Sequence, residues 1–389
     1  TDTYEQAWKK GYVGLERFGY YNEDYHLLQA TKGEPIHGRL RNLMTEAGIP
    51  VEFSKGEAAP GQHEVNIHYT DVLDMSDQSV IFKHGAKEIA WLNGYGLSFM
   101  AKPDHTWTGS SGHLHMSLWD KAGKKALFYD AKAEPYGMST TMRHFLGGMM
   151  KYSRELAIFW AWNVNSYKRY AVASWAPVNV VWGRDNRTTG FRVVGDGAGL
   201  HVEDRFPGGD MNSYTTYAAV VGAGLLGIER EIEPPAEYIG NGYVATGCDR
   251  MPRALHEAIR LLEQSEAAAD IFGANVVAHY RNAARVAQET YDGSGHPWDR
   301  GPALERGQGE PRQTRVAARG RARAHWLRAP DDRIPAMDFG DASASAAQYK
   351  TSRTRGSTRS TRPLNPARKL FGAVLPPAPG PLRCENARR

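Results

Sequence analysis

Hydrophobic residues recur at helical spacing in several parts of the first 300 residues. Residues 35–48 predict a short helix, with Pro35 at its start and Gly48 at its end. The stretch at 136–163 is long and amphipathic, which is typical of a surface-packed helix. Further helices are predicted at 72–93, 252–272 and 276–291, and Asn212 is predicted to cap a helix that runs to about Glu231.

Other stretches alternate in the way that strands do. Residues 51–69 predict a strand, a turn at Pro60–Gly61 and a second strand. Strands are also predicted at 97–100 and 113–119, and residues 178–194, rich in Val, Thr and Arg, predict a hairpin. Strands and helices cluster rather than alternate regularly. The pattern therefore indicates an α+β fold and not a regular βαβ fold.

The amino-acid composition and hydropathy pattern of the chain change after about residue 307. Residues 308–389 hold 15 Arg and 2 Lys against 6 Asp or Glu, and their apolar periodicity is lost. Such a segment buries too little surface to offset its ordering entropy, so we expect a disordered basic tail. A tail that binds RNA or an anionic membrane, and a shifted reading frame, are alternative hypotheses. The rest of the chain is mildly acidic, which does not indicate nucleic acid as a partner.

Cysteine content and hydropathy restrict the class of protein. The chain has only Cys248 and Cys384, which argues against a disulfide framework or a cysteine-based zinc site and favours a reducing cytoplasm. The longest apolar run, 218–228, is too short to span a bilayer, and the first residues lack the apolar core of a signal peptide. We therefore expect a cytoplasmic protein with no membrane partner.

Histidines and glutamates form the first candidate site. His113 and His115 stand two apart in GSSGHLHMSL, so in a strand both side chains point to one face. Glu57 and Glu64 flank the predicted turn. Two carboxylates beside two histidines suit Mg²⁺ or Mn²⁺, and manganese accepts histidine more readily. The alternative is that the glutamates are solvated and the histidines only pack.

Arginines are unusually dense in a strand-like, aromatic-rich stretch between residues 165 and 214. Arginine binds carboxylates and phosphates through two parallel hydrogen bonds, so this stretch is a candidate for an anionic substrate. A solvated charged face is the alternative for any single member. The stretch contains Arg169, Arg184, Arg187, Arg192 and Arg205, with Glu203 among them.

A glycine motif in GAGLLG is a weaker candidate. Gly222, Gly224 and Gly227 match the G-x-G-x-x-G pattern of dinucleotide sites. Pro234 and Pro235 interrupt any βαβ unit downstream. Small residues packed on a buried helix are the favoured interpretation.

Several motifs taken together resemble one family. FMAKP, GSSGHLHMSL, NSYKR, DNRTTGFRV and HVEDRFPGGDMNSY occur in the order and spacing of the glutamine synthetase catalytic domain, over roughly residues 1–300. The resemblance implies a mostly antiparallel curved sheet flanked by helices. It also implies that 1–307 is an N-terminally truncated catalytic domain without the family's β-grasp domain and one glutamate pair, and that a complete protein forms a homo-oligomeric ring.

The resemblance also implies roles for individual residues. Arg169 and Arg187 are implied to act in catalysis. The glutamate substrate is implied to contact Gly109, Arg169 and Arg205, and the ATP phosphates are implied to contact His115, Ser117, Arg187 and Arg192. One divalent metal is implied to bind Glu57 and Glu64, and a second is implied to bind His113 and Glu203.

The implied reaction is ATP-dependent formation of a γ-glutamyl amide through γ-glutamyl phosphate. The family places a glutamate six residues after the arginine of NSYKR, where it helps to bind and deprotonate ammonium; here that position is Trp175. Tryptophan cannot accept a proton, but it can wall an apolar pocket or stack on a cation. We therefore expect a small amine in preference to ammonia as the nitrogen donor; the alternative is that Trp175 only supports the scaffold and ammonia is used through another base. An inactive homologue that retains nucleotide binding is the alternative.

Overall fold

The computed structural model describes residues 2–171 and 174–295. The predicted tail at 308–389 lies outside this range. No helix among the residues described is long and apolar enough to cross a membrane. The helices are α1 (Tyr4–Lys9), α2 (Leu27–Glu46), α3 (Val72–Leu92), α4 (Thr140–Tyr152), α5 (Ala157–Trp160), α6 (Val164–Tyr167), α7 (Ser213–Glu229), α8 (Leu255–Glu263), α9 (Glu266–Phe272) and α10 (Ala274–Asp292).

Two sheets carry the polar residues of interest. Strands β1 (Val51–Gly56) and β2 (His63–Ile67) form an antiparallel pair, which confirms the predicted strand, turn and strand. The second sheet has the order β3-β6-β5-β4. Its strands are β3 (Leu114–Met116), β4 (Trp182–Arg184), β5 (Phe191–Val194) and β6 (His201–Asp204). The β3–β6 and β5–β6 pairs are antiparallel, as the fold class predicted.

The main hydrophobic core contains buried residues of α4 and α7, which pack against each other, together with buried residues of the second sheet. An added Cβ at Gly224 would meet the ring of Phe145, and one at Gly227 would meet the main chain of Gly148. The glycines of GAGLLG therefore allow two helices to approach closely, as the sequence favoured. The Asn212 side chain accepts from the main-chain N–H of Tyr214 at 3.1 Å, which confirms the predicted cap of α7.

Two predicted helices have different ends in the structure. Helix α2 begins at Leu27, so Pro35 lies inside it and not at its start. The residues before Pro35 include good helix formers, and the proline removes only one main-chain donor. The prediction of one continuous helix at 136–163 is also wrong. Tyr136 and Gly137 have φ of 59° and 71°, so α4 begins only after its cap at Ser139.

Two strand predictions are wrong as well. Residues 97–100 form no strand, because the main-chain N–H of Leu97 bonds to the Tyr4 hydroxyl at 3.2 Å instead of to another strand. The hairpin predicted at 178–194 is not formed, because β4 and β5 pair in parallel. Residues 185–190 carry the chain back to the start of β4, with Asp185 in the left-handed region at φ 47°.

Candidate active site

The second sheet aligns three charged or polar side chains in one row. His115 lies opposite Glu203 in the β3–β6 pair, and Arg192 lies opposite Glu203 in the β5–β6 pair. Directly opposite residues have Cβ atoms about 5 Å apart and share a face of the sheet. Strand register therefore places one carboxylate between an imidazole and a guanidinium.

Glu203 is the centre of this cluster, and only 3% of its side chain is exposed. Arg205 Nη1 donates to its Oε1 at 2.5 Å, and Arg192 Nη1 donates to its Oε2 at 3.0 Å. His113 Nδ1 lies 3.3 Å from Oε1, and His115 Nε2 lies 3.8 Å from it. The prediction that the two histidines project to one face is confirmed. We call these five residues the Glu203 cluster.

The surroundings of the ionisable groups in the Glu203 cluster shift their pKa values strongly. Burial opposes ionisation of Glu203, but His113 and Arg205 outweigh it and lower its pKa to about 2. Burial, together with Arg205, lowers the pKa of His113. Burial also lowers the pKa of His115, against the pull of Glu203. At neutral pH the cluster therefore combines an ionised carboxylate, two neutral imidazoles and two guanidinium groups.

A third histidine extends the cluster. His115 Nδ1 lies 3.0 Å from His201 Nε2, and His201 Nδ1 lies 2.7 Å from the carbonyl oxygen of Gly199. His201 precedes Glu203 by two residues on β6, so both side chains occupy the same face. The sheet thus gives His115 a polar partner on each side.

The turn between β1 and β2 carries an acidic pair, Glu57 and Glu64. Lys55 Nζ donates to Glu57 Oε1 at 2.5 Å and to Asp24 Oδ1 at 3.0 Å, and it lies 3.4 Å from Glu64 Oε2. Burial and the hydrogen bond with Glu64 raise the pKa of Glu57. Burial opposes ionisation of Glu64, but its hydrogen bonds to Glu57 and Asn66 prevail and lower its pKa to about 2. As pH falls, Glu57 is therefore protonated before Glu64.

A glutamine joins this turn to the glycine-rich segment. Gln62 Nε2 donates to the carbonyl oxygen of Gly109 at 3.0 Å, and Thr108 Oγ1 donates to Gln62 Oε1 at 3.2 Å. Gly109 in turn packs so tightly on Arg169 that an added Cβ would clash with the arginine side chain. Gly109 therefore has a steric reason to be glycine.

Arg169 is completely buried. Its Nη1 donates to Ser111 Oγ at 3.0 Å, and its Nη2 donates to the carbonyl oxygen of Phe206. Its Nε has no hydrogen-bond partner within the described range. The structure therefore places Arg169 beside Gly109 and beneath the segment that contains Arg205.

Trp175 lies close to these groups. Ser174 Oγ donates to the carbonyl oxygen of Arg169 at 2.9 Å, which ties the neighbouring residue to the arginine. Trp175 has φ 62° and is 54% exposed. Burial raises the pKa of Tyr243, and Arg205, Arg169 and the main chain of Trp175 act against this rise. The main chain of Trp175 thus lies near Tyr243, and its indole is largely exposed.

The remaining predicted residues are less closely tied to the Glu203 cluster. Arg187 is exposed on the 185–190 connection. Ser117 Oγ accepts from Trp119 Nε1 at 3.0 Å. Arg184 Nη2 donates to Asp196 Oδ1 at 2.7 Å, so it pairs away from Glu203. Of the five arginines noted in the sequence, the structure brings two, Arg192 and Arg205, onto Glu203.

The carboxylate and imidazole groups of the site are of the ligand types that bind divalent metal ions. Carboxylate oxygens and neutral imidazole nitrogens are ligands for Mn²⁺, and Mg²⁺ is held by one or two carboxylates together with substrate phosphates. The structure supplies the pairs Glu57–Glu64 and His113–Glu203. No group of three or more His, Cys, Asp or Glu side chains in the described part of the chain is arranged to hold a metal. Each pair could therefore hold a metal only with further ligands.

Sequence reasoning missed three residues that support these groups. Lys55 stands two residues before Glu57, and His201 two before Glu203, so period-two spacing could have indicated both. Glu23 gave no such signal. Its main-chain N–H donates to the carbonyl oxygen of Glu57 at 3.2 Å, and its Oε1 accepts from Gly61 N–H at 3.2 Å. Only the fold brings Glu23 to the turn.

Residues 3–301 match the family model described as the glutamine synthetase catalytic domain. The chain is 46% identical over 305 residues to gamma-glutamylethanolamide synthetase of Streptomyces coelicolor, covering 78% of this chain and 64% of that protein. It is 41% identical over 259 residues to glutamate–isopropylamine ligase of a Pseudomonas species, covering 66% of this chain and 56% of that protein.

A solved structure described as a GmaS/ADP complex has a similar fold. The TM-score is 0.68 at 30% sequence identity, and the likeness covers 74% of this chain and 67% of that one. The fold, the motifs and the family model agree: the chain belongs to the glutamine synthetase family. It spans less than two thirds of the length of the two curated relatives.

Proposed function

We propose that this protein is an ATP-dependent ligase that joins the γ-carboxylate of glutamate to a small organic amine. The Glu203 cluster carries this proposal, because it gathers one buried carboxylate, two guanidinium groups and two imidazoles on one face of a sheet. Phosphoryl transfer depends mainly on positioning and on neutralisation of charge, and these groups are suited to both.

In the proposed first half-reaction, a γ-carboxylate oxygen of glutamate attacks the γ-phosphorus of ATP. The bond from that phosphorus to the β–γ bridging oxygen breaks, and ADP leaves with the electron pair. Arg187 and Arg192, together with His115 and Ser117, would hold the phosphates, and Arg187 would stabilise the transferring group. Arg169, Arg205 and Gly109 would hold the glutamate. When bound at Glu57–Glu64 and His113–Glu203, divalent ions would neutralise phosphate charge.

In the proposed second half-reaction, the amine nitrogen attacks the acyl carbon of γ-glutamyl phosphate and phosphate leaves. An alkylammonium ion must lose one proton to become nucleophilic, and its nitrogen must lose a second to form a neutral amide; the departing phosphate and solvent accept these protons. Trp175 cannot take either proton, but its exposed indole can cover the alkyl part of an amine. The two curated relatives, whose names refer to ethanolamide and isopropylamine, support an organic amine as the donor.

The first test measures phosphate release by the full chain with ATP, glutamate and Mg²⁺ or Mn²⁺. The donors are ammonium, ethylamine, isopropylamine, ethanolamine and putrescine, with a control that lacks glutamate. We expect glutamate-dependent release that is fastest with a small alkyl or hydroxyalkyl amine. ADP binding without release under any condition would instead support the inactive homologue.

The role of Trp175 has its own test. In Trp175→Glu, we expect the ratio of kcat/KM for ammonium to kcat/KM for the preferred amine to rise about tenfold or more, because a carboxylate neutralises a small cation that an indole cannot. Trp91→Glu is the matched control, since Trp91 is 51% exposed on α3. An unchanged ratio in Trp175→Glu would remove the support for an amine pocket at this residue.

The ring-shaped homo-oligomer remains a proposal too, and it is measured separately. Sedimentation of the full chain, with and without ADP and Mn²⁺, would give the oligomeric state. A monomer under both conditions would contradict the proposal.

A further inference from the structure

The chain of contacts through His201 determines where protons lie. The carbonyl oxygen of Gly199 can only accept, so His201 Nδ1, at 2.7 Å, must carry a hydrogen. In the neutral ring, Nε2 of His201 is then an acceptor. Because His115 Nδ1 lies 3.0 Å from this atom, His115 must be the donor, and its own proton is on Nδ1. In a neutral His115, Nε2 is left with a lone pair.

We infer that His201 is a positioning residue, which holds His115 as the Nδ1–H tautomer and directs its Nε2 towards Glu203. Nδ1 is hydrogen-bonded to His201, whereas Nε2 faces Glu203 Oε1 at 3.8 Å, which is beyond hydrogen-bond distance, so the contact with His201 is the one that orients the ring. Nearly half of the His115 side chain is exposed, so packing alone does not fix its orientation. A hydrogen-bond partner on the ring nitrogen that faces away from the site supplies that constraint.

The orientation has a chemical consequence. A lone pair at Nε2 interacts with a cation or with a hydrogen-bond donor, whereas an anionic phosphate oxygen requires an N–H. In this tautomer, neutral His115 therefore contacts the phosphates through a bound cation or a donor, and not by direct donation from Nε2. The importance of this tautomer for turnover rests on the proposed function, but the assignment of the tautomer does not depend on that function.

The primary test is the ¹⁵N–¹H spectrum of histidine side chains in the full chain, with His115 assigned from a His115→Phe sample. We expect His115 to carry its proton on Nδ1 in the unsubstituted protein. His201→Leu should convert His115 to a mixture of tautomers. His201→Gln should restore the Nδ1–H form, because an amide oxygen can accept from His115 while the amide N–H donates to Gly199.

Affinity for ADP in the presence of Mn²⁺, measured by calorimetry, gives a second readout. Loss of a partner that orients a ligand typically costs about 10–100-fold, so we expect His201→Leu to bind ADP at least about tenfold more weakly, and His201→Gln to remain near the unsubstituted value. If turnover is detected, KM for ATP should rise more than kcat falls. His144→Leu is the control, since it removes a histidine contact of 3.0 Å to Glu233, outside the Glu203 cluster.

The inference is overturned if His115 in the unsubstituted protein carries its proton on Nε2, or if His201→Leu leaves both tautomer and ADP affinity unchanged. Neither readout requires turnover. A chain that releases no phosphate but shows the expected tautomers would therefore contradict the proposed function and retain the role of His201. The spectrum of the unsubstituted protein also decides the point if a His201 variant fails to fold.

Discussion

The buried carboxylate Glu203 and the acidic pair Glu57–Glu64 of the candidate site are built in opposite ways. Glu203 lies in a sheet and is 3% exposed, and two arginines donate to it. Glu57 and Glu64 flank a turn, are 28% and 38% exposed, and share one lysine. A buried carboxylate requires fixed partners because water cannot replace them, whereas a half-exposed pair can exchange partners. Glu203 is therefore preorganised, and the turn pair can adapt to a cation.

The largest expected difference between the two regions is in stability. Glu203→Gln removes the negative charge between Arg192 and Arg205 and should lower the free energy of unfolding by about 3 kcal/mol, because the buried Arg205 guanidinium loses its carboxylate partner, whereas Arg192 keeps Asp185. Glu64→Gln should cost less than about 1 kcal/mol, because its ion pair is partly solvated. Urea denaturation of both variants measures the contrast. Equal losses would show that burial does not distinguish the two regions.

Acid should weaken the two regions in different pH ranges. Burial lowers the pKa of His37, whose ring lies 4.0 Å from that of His63 of β2 at an interplanar angle of 42°, to about 4 from a usual 6.5. The unfolded chain binds this proton more readily, so its contribution is complete above pH 6.5 and is lost as pH falls towards 4. The pKa of Glu203 is lowered to about 2, so its contribution is complete above about 4.5 and is lost below that pH.

The variant His37→Phe tests the part of this contrast that lies near the turn. It keeps an aromatic ring against His63 without a titrating group, so the loss of stability between pH 7 and pH 5 should shrink by about 1–2 kcal/mol. Urea unfolding at both pH values measures it. His105→Phe, at a side chain that is 92% exposed, should leave the pH dependence unchanged. An equal shift in both variants would contradict the assignment to His37.

The smallest expected effect concerns the adaptable pair. Lys55 supplies positive charge to Glu57 and Glu64, so Lys55→Met should remove a competitor for a divalent ion. A partly exposed ion pair contributes up to about 1 kcal/mol, which corresponds to at most about fivefold tighter Mn²⁺ binding. Titration monitored by electron paramagnetic resonance measures it, with Lys121→Met as an exposed control. Weaker binding in Lys55→Met would show that the lysine supports the metal site.

Local patterns predicted most elements but not their pairing. The Asn212 cap and the strand–turn–strand at 51–69 were predictable because caps and turns depend on near neighbours. The parallel β4–β5 pair and the position of Pro35 inside α2 were not, because long-range contacts determine strand partners and can extend a helix past its local signals. The resemblance to a family supplied the roles of site residues that no local pattern specified.

The sequence by itself determined the α+β class, the common face of His113 and His115, and the identities of the charged groups, since period and side-chain chemistry are local properties. Tertiary structure alone decided that Arg192 meets Glu203 while Arg184 turns to Asp196. It alone brought Glu23 to the Glu57 turn and His201 to His115. The physical reason is that strand register and chain packing determine which distant groups share a desolvated space.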